Sequence, residues 1–255
     1  RGLGKAEALD AEALRQVVGK ALKRCIQMDV SRLWVAVPEA KAVGLAMPAL
    51  LKALLEAAYL GNHVFNRYRQ EKEPKPLARI ELVVDGPTQR EFARLPAEVE
   101  MVCRETVLAR EWVNTPSNEK PPAELARLIT AEARKAGLSA KVFNEAELRR
   151  RKFGALLAVA AGSANRPAMV VLEHKPRGAG APLVLVGKGV TFDSGGLNLK
   201  TGPSLAFMKC DMAGAAAVAA VMLTAAALKL NRRIVGLIPL VENMVSGGAT
   251  RPGDI

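Results

Sequence analysis

Aromatic residues, cysteine and histidine are all scarce in this 255-residue sequence, and each scarcity narrows the possibilities. Phe, Trp and Tyr make up 4% of the chain, so the core must be built mainly from aliphatic side chains. The three cysteines are widely scattered without CxxC spacing, which argues against a disulfide framework and favours a reducing compartment. With two histidines far apart in the chain, the sequence lacks the spacing of a histidine-based zinc site.

Long hydrophobic runs are missing as well. The longest, at 212–228, is rich in alanine. At ~1.5 Å per residue in a helix, it falls short of the ~30 Å of a bilayer core. We therefore expect this run to be a buried helix and expect no membrane partner. The sequence shows no signal peptide, so we expect a soluble, cytoplasmic protein.

Positive charge is in excess, with 37 Lys and Arg against 25 Asp and Glu, for a formal net charge of +12. Such a balance permits binding to nucleic acid without establishing it. The densest basic run, at 149–152, follows a predicted helix and is typical of a solvated helix terminus, which the helix dipole favours. A nucleic-acid patch is the alternative, but it would need interleaved aromatic residues. Nucleic acid is therefore a possible partner that is not favoured.

The hydrophobic periodicity predicts an α/β protein in two parts. In the first part, residues 1–87, helices alternate with strands. Asp10 caps the first helix, Pro48 opens the second, and the strands lie at 32–38 and 78–86. This pattern predicts a small N-terminal α/β domain. A charged helical stretch follows at 88–113, with Pro96 as its break or kink. We interpret this stretch as a connection between domains.

The second part, residues 114–255, starts where "NTPSNEKPP" stops helix formation and Pro122 opens a new helix. Aliphatic strands then alternate with helices. The predicted strands lie at 140–143, 168–173, 183–188 and 232–243. Continuous apolar strands separated by helices indicate a mostly parallel sheet covered on both faces.

The stretch "LVGKGVTFDSGGLNLK" (185–200) contains most of the candidate site residues. Lys188 ends an apolar strand, Asp193 and Lys200 follow in a glycine loop, and Asp211 begins the buried helix. The stretch matches neither a P-loop, a GxSxG nucleophile elbow nor a GxGxxG fingerprint. Strand ends, loops and helix starts meet at the carboxyl edge of an α/β sheet, where ligands bind.

Two explanations of these residues remain open on composition alone. Two carboxylates favour a divalent cation, and a deprotonated lysine amine can complete its coordination sphere. That use would explain why Lys188 enters an apolar strand, which is otherwise costly. The alternative is a network of Lys–Asp ion pairs that braces a turn.

The motifs "VGKGVTFDSGGLNLK" and "MKCDMAGAAAV" resemble the signature of the leucyl aminopeptidase family, the two-zinc cytosol aminopeptidases. The segments "EAAYLGNHVFNRYR", "WVNTPSNEKPP" and "VENMVSGGATRPGDI" are similar to that family too, so the resemblance covers essentially the whole chain. It implies a macro-like N-terminal domain, a connecting helix and a larger α/β/α metallopeptidase domain with a mixed, mostly parallel sheet. The implied activity is removal of an N-terminal residue such as leucine from peptides with a free N-terminus.

The resemblance also implies roles for individual residues. Lys188, Asp193 and Asp211 would be metal ligands, with Asp193 between two metal ions. Lys200 would be the catalytic lysine, and Met208 would line the pocket for the first side chain of the substrate, although an ordinary core methionine is nearly as good an explanation. The implied cofactors are two divalent ions, with Zn²⁺ preferred over Mn²⁺, Mg²⁺ or Co²⁺.

The sequence departs from the family pattern at both ends. The family's "NTDAEGR" motif, which supplies further metal ligands and an arginine that holds a bicarbonate, is expected shortly after Ile255, and the opening strands are expected before Arg1. We therefore expect a fragment whose 255 residues alone are inactive. The family also implies a homohexamer, a dimer of trimers. An architectural DNA-binding role and a catalytically inactive homologue are the alternative functions.

Overall fold

The computed structural model describes residues 9–68, 75–178 and 180–254. The chain divides into two compact units, Arg1–Val107 and Leu108–Ile255. The domain limits expected from the sequence, 1–87, 88–113 and 114–255, stay a prediction.

The first unit combines helices with a two-stranded parallel sheet. Its elements are α1 (Ala11–Gln27), β1 (Arg32–Ala36), α2 (Met47–Gly61), β2 (Arg79–Val83), α3 (Gly86–Glu91) and the first turns of α4 (Leu95–Asn114). The predicted cap of α1 is confirmed, because the Asp10 carboxylate accepts a 2.7 Å bond from the Ala13 N–H. The apolar faces of α1 and α2 meet at Leu14, Leu50 and Leu54.

Two predicted helices in this unit have different limits in the structure. The apolar sequence 47–65 predicts one helix opened by Pro48. In the structure this helix ends at Gly61, and the Asn62 side chain bonds the N–H and carbonyl of Leu77 at 2.8 and 2.9 Å. The predicted break at Pro96 separates α3 from α4. Pro96 lies in the first turn of α4, where a missing N–H costs no helical hydrogen bond. The polar, proline-bearing sequence 66–76 predicts a surface loop, which lies partly outside the described residues.

The second unit is built on one five-stranded sheet. Its elements after α4 are α5 (Pro122–Lys135), β3 (Ser139–Phe143), α6 (Glu145–Arg150), α7 (Gly154–Ala160), β4 (Ala168–His174), β5 (Leu183–Val186), β6 (Gly189–Asp193), α8 (Pro203–Phe207), α9 (Ala213–Ala227) and β7 (Ile234–Asn243). A short 3₁₀ turn, Met208–Cys210, lies between α8 and α9.

The sheet is mixed, as expected. Strand β4 runs antiparallel to both β3 and β7, whereas β5 and β6 run parallel to β7. Four of its five strands therefore point in one direction, and β4 alone opposes them. Because β5 and β6 pair with successive parts of β7 in one register, they form a single edge interrupted at Gly187 and Lys188.

Helices cover both faces of this sheet. The larger cluster packs α5 and α9 against Val170 and Leu172 of β4 and Ile238 of β7. Val241 of β7 faces the other way and packs with Val190 and with Ala160 of α7, as the alternation of a strand requires.

The alanine-rich run is a core helix, as predicted. The stretch Pro203–Ala227, which joins α8, the 3₁₀ turn and α9, has 25 residues and is long and apolar enough to cross a membrane, but half of its most apolar window is buried inside the fold. The small side chains of α9 let the helix lie close to the sheet. The absence of a membrane partner stays a prediction.

Candidate metal centre

Lys188 lies where the edge strand is interrupted. Its neighbour Gly187 faces the start of α9, and a Cβ at Gly187 would lie 2.5 Å from the carbonyl oxygen of Gly214. Only glycine permits this close approach. The Lys188 carbonyl then accepts a 2.8 Å bond from the N–H of Ala215, one of the helix N–H groups that need an outside partner. The strand interruption and the beginning of α9 are thereby joined.

This junction brings Lys188 and Asp211 together. Asp211 immediately follows the 3₁₀ turn Met208–Cys210 and precedes α9. Its Oδ2 accepts a hydrogen bond from Nζ of Lys188. The lysine side chain is 59% exposed and the aspartate side chain 20% exposed, so the pair opens to solvent on the side of the lysine. The expected burial of Lys188 is therefore wrong, and the desolvation cost that a metal would have explained does not arise.

Asp193 ends strand β6 and does not lie in the glycine loop where the sequence placed it, because residues 189–193 pair with β7. It is bonded through both carboxylate oxygens. Oδ2 accepts from Nζ of Lys200, while Oδ1 accepts from the N–H of Gly195 at 2.9 Å and from Nδ2 of Asn243 at 2.8 Å. Burial acts to raise the pKa of the Asp193 carboxyl, but the bonds from Lys200, Gly195 and Asn243 outweigh it. The pKa therefore lies below its ordinary value, and the carboxylate stays ionised.

The glycine loop returns Lys200 to this carboxylate. Gly195 and Gly196 have φ of +89° and +64°, values that a residue with a side chain rarely adopts. The N–H of Lys200 donates to the Ser194 carbonyl at 2.8 Å and closes the loop. The two glycines and this backbone bond therefore set the path of the loop.

Met208 lies beside Lys200, with its sulfur 3.3 Å from the Nζ atom. Met208 begins the turn that leads to Asp211, and the N–H of Asp211 donates to the Met208 carbonyl at 3.2 Å. The turn therefore contacts Lys200 through Met208, and the residue after it, Asp211, contacts Lys188. The residues predicted from the sequence form two Lys–Asp pairs, and the meeting of Lys188, Asp193 and Asp211 at one common point stays a prediction.

The donor set suits a hard or borderline divalent cation. It offers two ionisable carboxylates and one solvent-exposed amine, Lys188, which can ligate a metal only after losing its proton. Within the described residues, 9–68, 75–178 and 180–254, no group of three or more His, Cys, Asp or Glu side chains is placed to hold a metal. The expected site therefore depends on Lys188 as a ligand besides the two carboxylates.

Asn243 is a site residue that the sequence reasoning missed. It lies in the segment "VENM", which resembled the family, but nothing marks it as a partner of Asp193. The pairing of β6 with β7 sets Asn243 opposite Asp193, after a register shift that follows Val190. Only the strand register, a tertiary property, reveals the contact.

An α/β domain with lysines and aspartates paired near the end of a strand is the arrangement that the resemblance to a metallopeptidase family led us to expect. Comparison with protein families makes the assignment specific. The model of the cytosol aminopeptidase family, catalytic domain, matches residues 107–255, and that of the family's N-terminal domain matches residues 2–72. The chain belongs to the cytosol aminopeptidase family.

Individual relatives agree with this assignment. The chain is 37% identical over 257 residues to a probable cytosol aminopeptidase of Geobacter sp. (strain M21) and 40% identical over 258 residues to one of Geotalea uraniireducens (strain Rf4). Both alignments cover 100% of this chain and 52% of the relative. The chain therefore spans about half the length of these relatives.

A solved structure gives the same result. The bottromycin maturation enzyme BotP in complex with Mn superposes with a TM-score of 0.86 and is 36% identical. The alignment covers 99% of this chain and 52% of BotP. At this level of identity the shared fold accompanies a shared family.

Proposed function

We propose that the complete natural protein containing this sequence is a metal-dependent aminopeptidase that removes N-terminal residues such as leucine from peptides. The observation that carries the proposal is the double Lys–Asp arrangement, with Lys188 and Asp211 at the interruption of the β5–β6 edge and Lys200 and Asp193 at its end. Membership of the cytosol aminopeptidase family supports the same conclusion.

Lys188, Asp193 and Asp211 would hold two divalent ions together with residues outside this sequence. Zn²⁺ is our first expectation, and Mn²⁺, Mg²⁺ and Co²⁺ suit the same ligands. The Mn in the BotP complex supports a role for such a cation. Bound ions would supply Lewis-acid polarisation of the scissile carbonyl and activation of water. A bicarbonate is an expected further ligand in the complete protein.

The two lysines would have opposite protonation states. Lys188 must be neutral in order to ligate, because a metal and a proton compete for the same lone pair. Lys200 must be charged, so that it neutralises the negative charge that develops on the carbonyl oxygen during attack. Asp193 would keep Lys200 in place through their ion pair, which is 34% exposed on the lysine side.

Met208 would form part of the pocket for the first side chain of the peptide. Its thioether lies beside Lys200, so an apolar side chain resting on Met208 would bring the adjacent carbonyl near the ammonium group. A flexible methionine also adapts to side chains of different shape. We propose leucine as a preferred first residue on this basis together with the family membership.

We further propose that the protein acts in the cytosol as a homohexamer, a dimer of trimers. The names of the cytosol aminopeptidase relatives support the compartment. Light scattering on the complete protein would test the assembly, and a monomer at micromolar concentration would contradict it.

The function itself is tested by hydrolysis of leucyl amide substrates. The complete protein should lose activity when treated with a chelator and regain it when Zn²⁺ or Mn²⁺ is added. An N-acetylated peptide should not be cleaved, because the enzyme would need the free amine. Chelator-resistant cleavage, or equal cleavage of the acetylated peptide, would contradict the proposal.

A DNA-binding role is the second candidate, and the net charge of +12 permits it. The densest basic run gives it little support, because Arg149 and Arg150 pair with Glu145 and Glu147, and Arg151 stacks on Phe143 at 4.2 Å. A gel shift that weakens steeply with salt would support it. Elemental analysis of the purified protein would separate an enzyme from an inactive, metal-free homologue.

A further inference from the structure

The segment "NTPSNEK" (114–120) contacts two of the elements that carry the candidate metal centre. The Ser117 hydroxyl donates to the carbonyl of Thr191 in β6 at 2.8 Å. The Asn114 carbonyl accepts from Nζ of Lys209, in the turn before Asp211, at 3.2 Å. The segment that stops helix α4 therefore also contacts both β6 and the turn.

Lys120 is the most unusual residue of this segment. Its side chain is fully buried, with 1% of the residue exposed. The three protons of its ammonium group have three acceptors, which are the Trp112 carbonyl at 2.6 Å, the Val113 carbonyl at 3.1 Å and the Met212 sulfur at 3.3 Å. These three acceptors lie in the part of the chain that the structure describes, and none of them is a carboxylate.

A buried cation without a carboxylate is costly. Burial lowers the pKa of Lys120 to about 8. The carbonyls of Trp112 and Val113 belong to the last turn of α4, where the helix dipole favours positive charge and partly offsets this cost. The recorded contacts of Lys120 thus connect the end of α4 to Met212.

Met212 is the residue immediately after Asp211, and it is completely buried. On the other side of Asp211, the Cys210 sulfur lies 3.9 Å from the Val113 carbonyl. Both chain neighbours of Asp211 are therefore attached, directly or through Lys120, to the last turn of α4. With its neighbours held, the Asp211 side chain is left to point toward Lys188.

We propose that Lys120 is a positioning residue that holds Asp211 in the orientation needed to bind a divalent metal ion. The role rests on the proposed function, because it requires Asp211 to be a metal ligand. Lys120 would act only through its bonds to Met212 and to the end of α4.

The test is a calorimetric titration of the complete, metal-free protein with Mn²⁺. Lys120→Met keeps the length and the apolar stem of the side chain but removes the ammonium group. We expect it to weaken Mn²⁺ binding by roughly 10–100-fold, the usual effect of losing an outer-shell partner. Lys135→Met, on an exposed lysine of α5, is the matched control and should bind Mn²⁺ like the wild type.

A double-mutant cycle separates positioning from general stabilisation. In an Asp211→Asn background the positioned carboxylate is gone, so Lys120→Met should weaken the remaining Mn²⁺ binding no further. A purely structural lysine would instead lower the thermal stability of the metal-free protein and leave Mn²⁺ affinity unchanged, or weaken it equally in both backgrounds. Either of those results would overturn the proposal.

A second variant decides the matter if Lys120→Met does not fold. Met212→Leu conserves apolar volume and removes only the sulfur acceptor, so the fold should tolerate it. It should weaken Mn²⁺ binding roughly threefold to tenfold, the value of about one hydrogen bond. Wild-type affinity in this variant would overturn the proposal.

If the wild type itself binds no Mn²⁺, the proposed function fails and the positioning role fails with it. Wild-type binding with unaffected variants would refute the positioning role alone.

Discussion

The two Lys–Asp pairs differ in how firmly each carboxylate is held. Asp193 receives bonds on both oxygens, from a side-chain amide, a backbone N–H and Lys200, and its side chain is 16% exposed. Among the described residues, the side chain of Asp211 accepts its hydrogen bond from Lys188, whose own side chain is 59% exposed. One carboxylate is fixed by its surroundings, and the other depends on the turn that carries it.

The contrast indicates which part of the centre can rearrange. Ion pairs with an exposed partner contribute little stability, so the Lys188–Asp211 pair can open cheaply when a metal competes for both groups. Asp193 is preorganised, because its bonds from Asn243 and Gly195 persist without any ligand. We expect the position formed by Lys188 and Asp211 to bind metal more loosely, and the following predictions test that difference.

Lys200→Ala should have the largest effect. In the complete protein, loss of the ammonium group should lower kcat for a leucyl amide by a factor on the order of 10²–10³, the usual cost of one missing oxyanion stabiliser. Both metal ions should remain bound, because Asp193 keeps its bonds to Asn243 and Gly195. Turnover and elemental analysis measure the two effects, and Lys135→Ala serves as a surface control.

Lys188→Met should show the opposite behaviour. Removal of the amine ligand should weaken the looser metal position by about 10–100-fold, a loss comparable to that of an outer-shell partner. Added Zn²⁺ or Mn²⁺ should then restore part of the activity. Lys141→Met, an exposed lysine on β3, is the matched control. If Lys200→Ala loses metal while Lys188→Met keeps it, the roles assigned to the two lysines are reversed.

Asn243→Ala should weaken the tighter position, because Asp193 would lose the side-chain amide that orients it. We expect Mn²⁺ affinity to fall about tenfold, at the lower end of the usual outer-shell range. Asn165→Ala removes an exposed amide that bonds the neighbouring Glu242 and should have little effect. A change confined to the looser position, seen by titration of both sites, would contradict the assignment.

The smallest expected effect is that of acid on the free energy of unfolding of the metal-free protein. Because the pKa of Asp193 is lowered on folding, its contribution to the free energy of unfolding is present above the ordinary value of about 3.9. That contribution is lost as the pH falls through the lower folded value. Urea unfolding of the metal-free wild type and of Asp193→Asn should converge as the pH drops below 4. A stability difference that persists at pH 2 would show that another effect separates the two proteins.

A site residue could be predicted from the sequence when its partners lie close to it along the chain. Lys188, Asp193, Lys200 and Asp211 could be picked out because they cluster within one strand–loop–helix segment with family spacing. Asn243 and Lys120 lie 50 and 92 residues from their partners Asp193 and Met212, so no local pattern links them to the site. Their roles depend on strand register and on the packing of α4, which sequence periodicity does not report.

The fold divides in the same way. Hydrophobic periodicity, the Asp10 cap and Pro122 were enough to predict the α/β class and most helices and strands, because these are local preferences of the backbone. The reversed direction of β4, the joining of β5 and β6 along one side of β7 and the pairing of each lysine with its aspartate came only from the tertiary structure. The physical reason is that hydrogen bonds between strands and contacts between buried side chains join residues far apart in the chain, and their free energy is gained only when the whole sheet is assembled.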